Sequence, residues 1–540
     1  MRVARGAVVR NKICTAEVVA EAISDGATIA VPGTASIMVV DDLLAALERR
    51  YLKTGHPAGV TAYVPCNAGF GPGTGVDRFA HPGLLKRYIA SAFPVYNNSR
   101  LADVIMNAEV EAYNFPMGVL YGLLRDIGAG RPGMLTSVGL GTYVDPRSQG
   151  GRMNSRTTED LVEFVSVGGR EYLFYRAHPI HVTLLKATTA DEAGNLSFES
   201  EPLSLGALPL ALAAKGSGGK VYVQVERIVA RGGIHPRAVV VPGHLVDGIV
   251  LAPDAPQSAE ARHDPTITGE VRAALPTRPL EAGSLRAIIA RAAADLRGGW
   301  LVNLGVGLPA NLPVLLHETD LESEVVITTE HGGINGLPKP LPAFGAHVNP
   351  EAILDPPSVF DMYDGGVIDA TLLGLAQADA AGDVNVSMFG GRLMGCGGFI
   401  DITARTRNIF FCGTLTAGGS KTAICDGRLV IEQEGKIRKL VGEVEQRTFN
   451  GRNALQKGQK VRIVTERGLF LLTERGWVLT EVAPGVDPRR DIAPFMDFEL
   501  SISERLGVYE SEVMMVAGDA FTNWLRSRIR ETNLAESATA

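Results

Sequence analysis

At 540 residues the chain is longer than one hydrophobic core usually organises, which favours two or three domains of ordinary size. Apolar residues make up 46% and charged residues 21%, and a formal net charge of −7 with both signs mixed along the chain excludes an extended cationic surface for nucleic acid or anionic membrane. The five cysteines (Cys14, Cys66, Cys396, Cys412, Cys425) are an odd, scattered set without CxxC or zinc-finger spacing, so neither a disulfide scaffold nor a structural zinc site is signalled.

In chain order, MRVARGAVVR carries three arginines before the first acid, Glu17, but lacks the apolar core of a signal peptide; it bears only a compositional resemblance to a transit peptide. No uncharged apolar stretch approaches the roughly 18 residues of a membrane span. A cytoplasmic protein with reduced thiols and no membrane partner is expected. TAEVVAEAISDG (15–26) reads as a helix and ATIAVPG (27–33) as a strand, followed by a glycine-rich insertion at CNAGFGPGTG (66–75).

IHVTLLKATTADEAGN (180–195) then recurs as IDATLLGLAQADAAGD (368–383), at an offset of 188 residues without gaps. At the same offset GKVYVQV (219–225) falls on RNIFFCG (407–413), two apolar runs of strand character. The second half opens as the first does, with SLRAIIARAAADLRGG (284–299) followed by WLVNLGVG (300–307). In that helix Ser284 is the expected N-cap, Leu285, Ile288, Ile289, Ala292 and Leu296 the expected buried face, and Gly298 and Gly299 the stop. The expected architecture is two duplicated, open, mostly parallel α/β domains: residues 1–253, a Pro/Ala-rich linker at 254–283, and residues 284–525, with a flexible tail at 526–540.

The repeat informs function where it fails. MGCGGFID (394–401) has GALPLALA (206–213) as its counterpart, and the acid that ends VVITTE has no acidic counterpart in VTAYVP. Only the second half therefore carries chemistry-bearing features, the first serving as wall or lid. NLGVGLPANL (303–312) brings a strand into glycines and a helix start, a cradle for an anionic ligand. It also satisfies the permissive dinucleotide fingerprint GxGxxA, with Glu330 at 23 residues past Gly307 as a possible ribose-binding acid. Gly395, Gly397 and Gly398 allow close backbone approach and can present N–H groups as an oxyanion hole, or simply make a turn beside Cys396. Glu330 itself is a nucleophile, a ribose clamp or a solvated strand end. HPIH (178–181) lacks a third ligand, so no metal site is expected.

TTEHGG (328–333), the long stretch FGAHVNPEAILDPPSVFDMYDGGVIDATLLGLAQADAAGDVNVSMFG, GCGGFIDIT and FFCGTLTAGG, with EAYNFPMG, GTYVDPR and VPGHLVDGIV in the first half, make the chain resemble the family I CoA-transferases of the fused, single-chain acetate/propionate type. That resemblance implies two NagB/RpiA-like domains and transfer of CoA between a short-chain acyl-CoA and a free carboxylate. It implies Glu330 as the covalent nucleophile and Gly397 and Gly398 as oxyanion or thioester contacts. Asn303, Gly305, Val306, Gly307, Leu308, Pro309 and Gly395 are implied as CoA contacts. His331 and Asn335 depart from the family pattern beside the nucleophile, which makes them candidates for the acyl pocket. No resident cofactor or metal is implied, CoA being a substrate carried covalently, and a homodimer or homotetramer is the family expectation. Two other readings stand beside it: a nicotinamide-dependent oxidoreductase using GVGLPA, and an inactive CoA-binding paralogue.

Overall fold

The structure, a computed structural model, describes residues 12–94, 96, 98–275, 280–281, 283–515 and 518–537, with side chains to residue 530. The arginine-rich start, residues 276–279 and 282 of the expected linker, and the last three residues lie outside that set.

The first half is built on a sheet of β1 (Thr28–Ala30), β2 (Val60–Val64), β3 (Leu85–Ala90), β4 (Glu111–Asn114), β5 (Val182–Asp191), β6 (Lys220–Val229) and β7 (Gly248–Leu251). Their order is β7-β6-β5-β1-β2-β3-β4, all parallel. Every residue of β5 is buried, as a central parallel strand covered on both faces must be. The second half uses β8 (Leu301–Leu304), β9 (Val326–Thr328), β10 (Ala370–Leu373), β11 (Asn408–Cys412), β12 (Lys460–Val464), β13 (Gly468–Thr473), β14 (Gly476–Val482) and β15 (Ser501–Val508). In its order β9-β8-β10-β11-β12-β13-β14-β15 the first five strands are parallel and β13 runs antiparallel to both neighbours.

The two orders coincide over five strands: β7-β6-β5-β1-β2 matches β12-β11-β10-β8-β9. The identities of the repeat encode a shared turn. Asp191 Oδ1 accepts the N–H groups of Ala193 and Asn195 at 3.0 and 2.9 Å, and Asp379 Oδ1 accepts those of Ala381 and Asp383 at 3.0 and 3.1 Å. Gly194 and Gly382 take φ of +93° and +87° to complete it, a conformation that favours glycine. The copies part after this point. Helix α3 (Ala207–Gly216) starts at Gly206, whereas its counterpart α7 (Phe399–Arg405) starts only at Gly398, because the GCG turn replaces its first turn.

Three local expectations are corrected. In α4 (Ser284–Ala293) the N-cap is Gly283, with Ser284 the first helical residue. Leu285 is 52% exposed while Ile288, Ile289, Ala292 and Leu296 are buried, and the helix ends at Ala294, ahead of the glycines. Residues 526–537 of the expected flexible tail continue α8 (Asp519–Ser537), whose Phe521, Leu525 and Ile529 are fully buried in the second-half core. The first part of the expected linker, residues 254–267, is a packed plug. Lys186 Nζ donates to Pro256 O at 2.8 Å, Gln257 Nε2 donates to Ser200 O at 2.7 Å, and Ile267 packs with Ile37, Met38 and Ala343.

The halves share a core. Helix α2 (Met117–Gly128) of the first packs on α6 (Pro356–Gly365) of the second, with the Tyr121 and Phe360 rings stacked at 6.1 Å. Since Ile529 has no exposed surface, Ile529→Ala is expected to destabilise the protein by about 2–5 kcal/mol, read as a lower denaturation midpoint in urea.

Candidate active site

Strand β9 runs parallel to β8 and ends at Thr328; Thr329 and Glu330 follow at its carboxyl end, at the seam between the halves. Gly332 then turns the chain with φ of +113°, where a Cβ would lie 1.9 Å from Leu354 O. Glu330 is half-buried, but its carboxylate is closed in by protein. Its Oε2 accepts the Gly398 N–H at 3.0 Å, the N-cap residue of α7. A Cβ on Gly398 would stand 2.2 Å from that oxygen, so a side chain at the donor position would displace the carboxylate. Burial pushes the Glu330 carboxyl up to about 7, against the lowering effect of the Gly398 hydrogen bond. The same cause disfavours charge on the groups around it: burial pushes the Cys66 thiol up to about 12 and the Tyr363 hydroxyl and Asp401 carboxyl well above their usual ranges.

The glycine turn is held by the first half. Gly397, at φ +52°, donates its N–H to Ser91 O at 2.8 Å and accepts Met117 N–H at 2.9 Å. Phe93 N–H donates to Met394 O at 3.0 Å, Cys396 N–H to Asn114 Oδ1 at 2.9 Å, and Gly118 N–H to Asp401 Oδ2 at 3.1 Å. Gly395 fits because a Cβ there would lie 2.5 Å from Ser91 O. Two expectations change accordingly. The Gly397 N–H is spent on Ser91, which leaves Gly398 as the donor aimed at Glu330, and Gly395 is a buried contact between the halves.

His331 turns away from the crevice into the first half. Only 2% exposed, its Nε2 is 2.8 Å from Thr34 Oγ1 and its ring meets Phe344 edge-on at 5.6 Å. Burial, with His347 nearby, pulls its pKa down to about 3, so it is neutral. Asn335 occupies the left-handed region at φ +54°, which Asn tolerates better than most residues. Its N–H and Oδ1 both pair with Ile327 at 2.8 Å and its Nδ2 reaches Glu351 at 2.8 Å. Both departures are thus framework groups, and neither presents a free polar atom to an acyl chain, save the unpaired Nδ1 of buried His331.

Asn303 is likewise internal: fully buried, it donates to Thr371 Oγ1 at 2.9 Å and accepts the Tyr363 hydroxyl at 2.6 Å, which ties β8 to β10 and α6. The loop beyond it is open. Val306 is half exposed, Gly307 at φ +88° has nothing within 4 Å of a Cβ, and Leu308 and Pro309 begin a short 3-10 turn (Leu308–Asn311) before α5 (Leu312–Glu318). A dinucleotide reading wants a full helix directly after the glycines and an acid free to meet a ribose; here the turn intervenes and Glu330 is held by Gly398. His181 Nδ1 accepts Thr28 N–H at 2.9 Å, a structural role, and no group of three metal-ligating side chains is assembled among the described residues.

Thr34, Ser91, Asn114, Gly118 and Asp401 were not singled out from the sequence. Asn114 and Gly118 lie within EAYNFPMG, and Asp401 is the acid that the first copy lacks; Thr34 and Ser91 carry no local signal.

A sequence model of the family described as Coenzyme A transferase matches residues 13–252. A caffeate CoA-transferase of Acetobacterium woodii is 41% identical over 510 residues, covering 93% of this chain and 97% of its own. The acetate CoA-transferase YdiF of Escherichia coli O157:H7 is 38% identical over 520 residues, covering 95% and 97%. The crystal structure of the acyl-CoA transferase YdiF apoenzyme from that organism superposes with a TM-score of 0.88 at 37% identity, over 94% of this chain and 97% of that one. A second structure of it, described as a thioester complex with CoA, also gives 0.88, at 36% identity over 94% and 96%. Likeness of this extent, over both halves and the seam between them, makes the chain a member of the coenzyme A transferase family and a CoA-transferase.

Proposed function

We propose that Glu330 carries the CoA as a glutamyl thioester during ping-pong transfer between a short-chain acyl-CoA and a free carboxylate. The observation that supports this most is a desolvated carboxylate at a strand's carboxyl end with, among the described residues, a single N–H, from Gly398, aimed at it and no cation in contact. Such a carboxylate is poorly solvated and basic for its type, both of which favour attack on a thioester carbonyl.

The steps balance without a general base. A Glu330 oxygen attacks the thioester carbonyl and the C–S bond breaks, giving a mixed anhydride and CoA thiolate. The thiolate attacks the Glu330 carbonyl, the anhydride C–O bond breaks, and the donor's free carboxylate leaves. An acceptor carboxylate then reverses the sequence, and one negative charge passes along throughout. Gly398 N–H is the oxyanion donor when the thiolate adds to the Glu330 carbonyl; a donor of this kind is worth about 10²–10³ in rate. Gly305 to Pro309 form the open edge that receives the CoA chain, whose distant contacts can lower the barrier at the reacting carbon.

A small acyl group fits the walls. A Cβ on Gly398 or Gly118 would meet the Phe360 ring at 3.0 and 2.6 Å, so this side of the carboxylate is already filled. The relatives are named for caffeate and acetate; the tight wall favours the acetate, propionate and butyrate class. The same reading takes a homo-oligomer working on soluble metabolites in the cytoplasm, without a resident cofactor. Among the described residues no helix is long and apolar enough to cross a membrane.

Incubation with acetyl-CoA and no acceptor is expected to add a CoA-sized mass to the wild type and none to Glu330→Gln; absence of an adduct with every short acyl-CoA would falsify the mechanism. Acetyl-CoA should exceed caffeoyl-CoA in kcat/KM by about tenfold or more. Because the Glu330 pKa is raised to about 7 and the carboxylate is the reactive form, kcat/KM for acyl-CoA should climb about tenfold per pH unit below 7 and level off above it. Gly398→Ala must displace the Glu330 carboxylate, so adduct formation should slow by about 10² or more in single-turnover measurements.

A further inference from the structure

Each sheet has an ammonium over its strand-end crevice, and only one of the two is neutralised. In the first half Lys186 stands on β5 beside β6. Its Nζ is 3.0 Å from Glu201 Oε1 and donates to Pro256 O of the plug at 2.8 Å, so the crevice is closed by the chain itself. At the repeat offset, Lys186 and Val225 correspond to Gly374 and Gly413 in the second half. Gly374 has nothing within 4 Å of a Cβ, and the ammonium comes from elsewhere: Lys439 Nζ lies 3.0 Å from where a Gly413 Cβ would be.

Lys439 is fixed along its backbone. Arg438 pairs with Thr416 in the loop after β11, Leu440 pairs with Ala378 after β10, and Ala378 N–H donates to Lys439 O at 2.7 Å. Its side chain has no such anchor: among the described residues Nζ makes no hydrogen bond or ion pair. Glu466 acts on it only through space, since Glu466 Oε2 accepts Leu415 N–H at 2.9 Å and Oε1 faces Arg467 Nε at 3.1 Å. Burial accordingly lowers the Lys439 pKa. An ammonium partly withdrawn from water without an acceptor is costly, and is tolerated where a ligand brings the counter-ion.

The ligand's position follows from the sheet. β8, β10 and β11 are successive neighbours, so the loop Gly305 to Pro309 at the end of β8 and Gly413 at the end of β11 lie two strand spacings apart, about 10 Å. Leu373 and Leu375 floor the space between them, meeting a Cβ on Gly305 and Gly413 at 3.0 and 3.5 Å. We propose that Lys439 is the cation that holds a phosphate of coenzyme A across this crevice, opposite the loop 305–309. The assignment rests on the CoA-transferase reading above and makes Lys439 a binding residue remote from the reacting carbon.

Full-length Lys439→Met and Lys439→Arg, assayed with acetyl-CoA, acetyl-dephospho-CoA and acetyl-pantetheine as donors, test it. Lys439→Met should lower kcat/KM for acetyl-CoA about tenfold or more, with KM raised, and leave the KM of the acceptor carboxylate unchanged, with Lys439→Arg close to wild type. With acetyl-pantetheine, which has no phosphate, Lys439→Met and wild type should be alike. A loss that persists on acetyl-dephospho-CoA places the contact at the 5′-diphosphate, and one that vanishes there places it at the 3′-phosphate; both support the proposal. An unchanged kcat/KM for acetyl-CoA, or an equal loss on acetyl-pantetheine, overturns it. Removing an unpaired ammonium should not lower the melting temperature, so a lowered one with losses on all three donors marks a structural lysine and also overturns it. Failure of the Glu330 mechanism shows differently, as a wild type that forms no CoA adduct.

Discussion

The hydrogen bond from Gly398 N–H to Glu330 Oε2 is the contact on which the site depends. It places a lone carboxylate, largely stripped of water, beside one fixed dipole. More donors, or a cation, would restore an ordinary carboxylate pKa and with it an ordinary, weak nucleophile. The position of that donor is set from outside its own half. Ser91 and Met117 through backbone groups, and Asn114 through its side-chain oxygen, hold the 394–398 turn from the carboxyl ends of first-half strands and the start of α2, and Asp401 ties the next turn to Gly118. The second half carries the carboxylate and the first half aims its hydrogen-bond partner.

This division explains how a duplicated fold keeps one centre. Both copies retain the Asp–Gly turn and the same five-strand order. They differ in whether the space over the strand ends is filled. In the first copy Lys186, Glu201, Pro256 and Gln257 fill it with satisfied polar contacts. In the second, glycines at 374 and 413 leave it open. A fold of this class offers a crevice at each sheet, and packing decides which remains accessible.

The duplication was legible because it is written in local signals: alternating strand and helix patterns, and an Asp and a Gly at fixed spacing that serve their own turn. Glu330 and Gly398 were legible as departures from that pattern. What stayed hidden depends on partners far along the chain. His331 meets Thr34 from 297 residues away, a contact that ties it into the framework. Gly397 loses its free N–H to Ser91, a residue with no distinguishing neighbourhood. Asn303 looked like a ligand contact by adjacency to the glycines, whereas alternation along β8 points it inward to Tyr363. In α8 the stripe Phe521, Leu525 and Ile529 was present at helical spacing, but the charged residues between them masked it.

The plug in the first crevice also separates the two copies in their freedom to vary. Residues at 186, 201 and 256–257 answer to packing partners within the chain, Ser200 and Asp264 among them, so a compensated set that fills the same volume and satisfies the same groups serves as well. On the proposed reading, their counterparts in the second copy answer to a metabolite whose shape does not change. The chain therefore holds two versions of one fold under different physical constraint: a half whose crevice is settled by internal packing and, on that reading, a half whose crevice is shaped by coenzyme A.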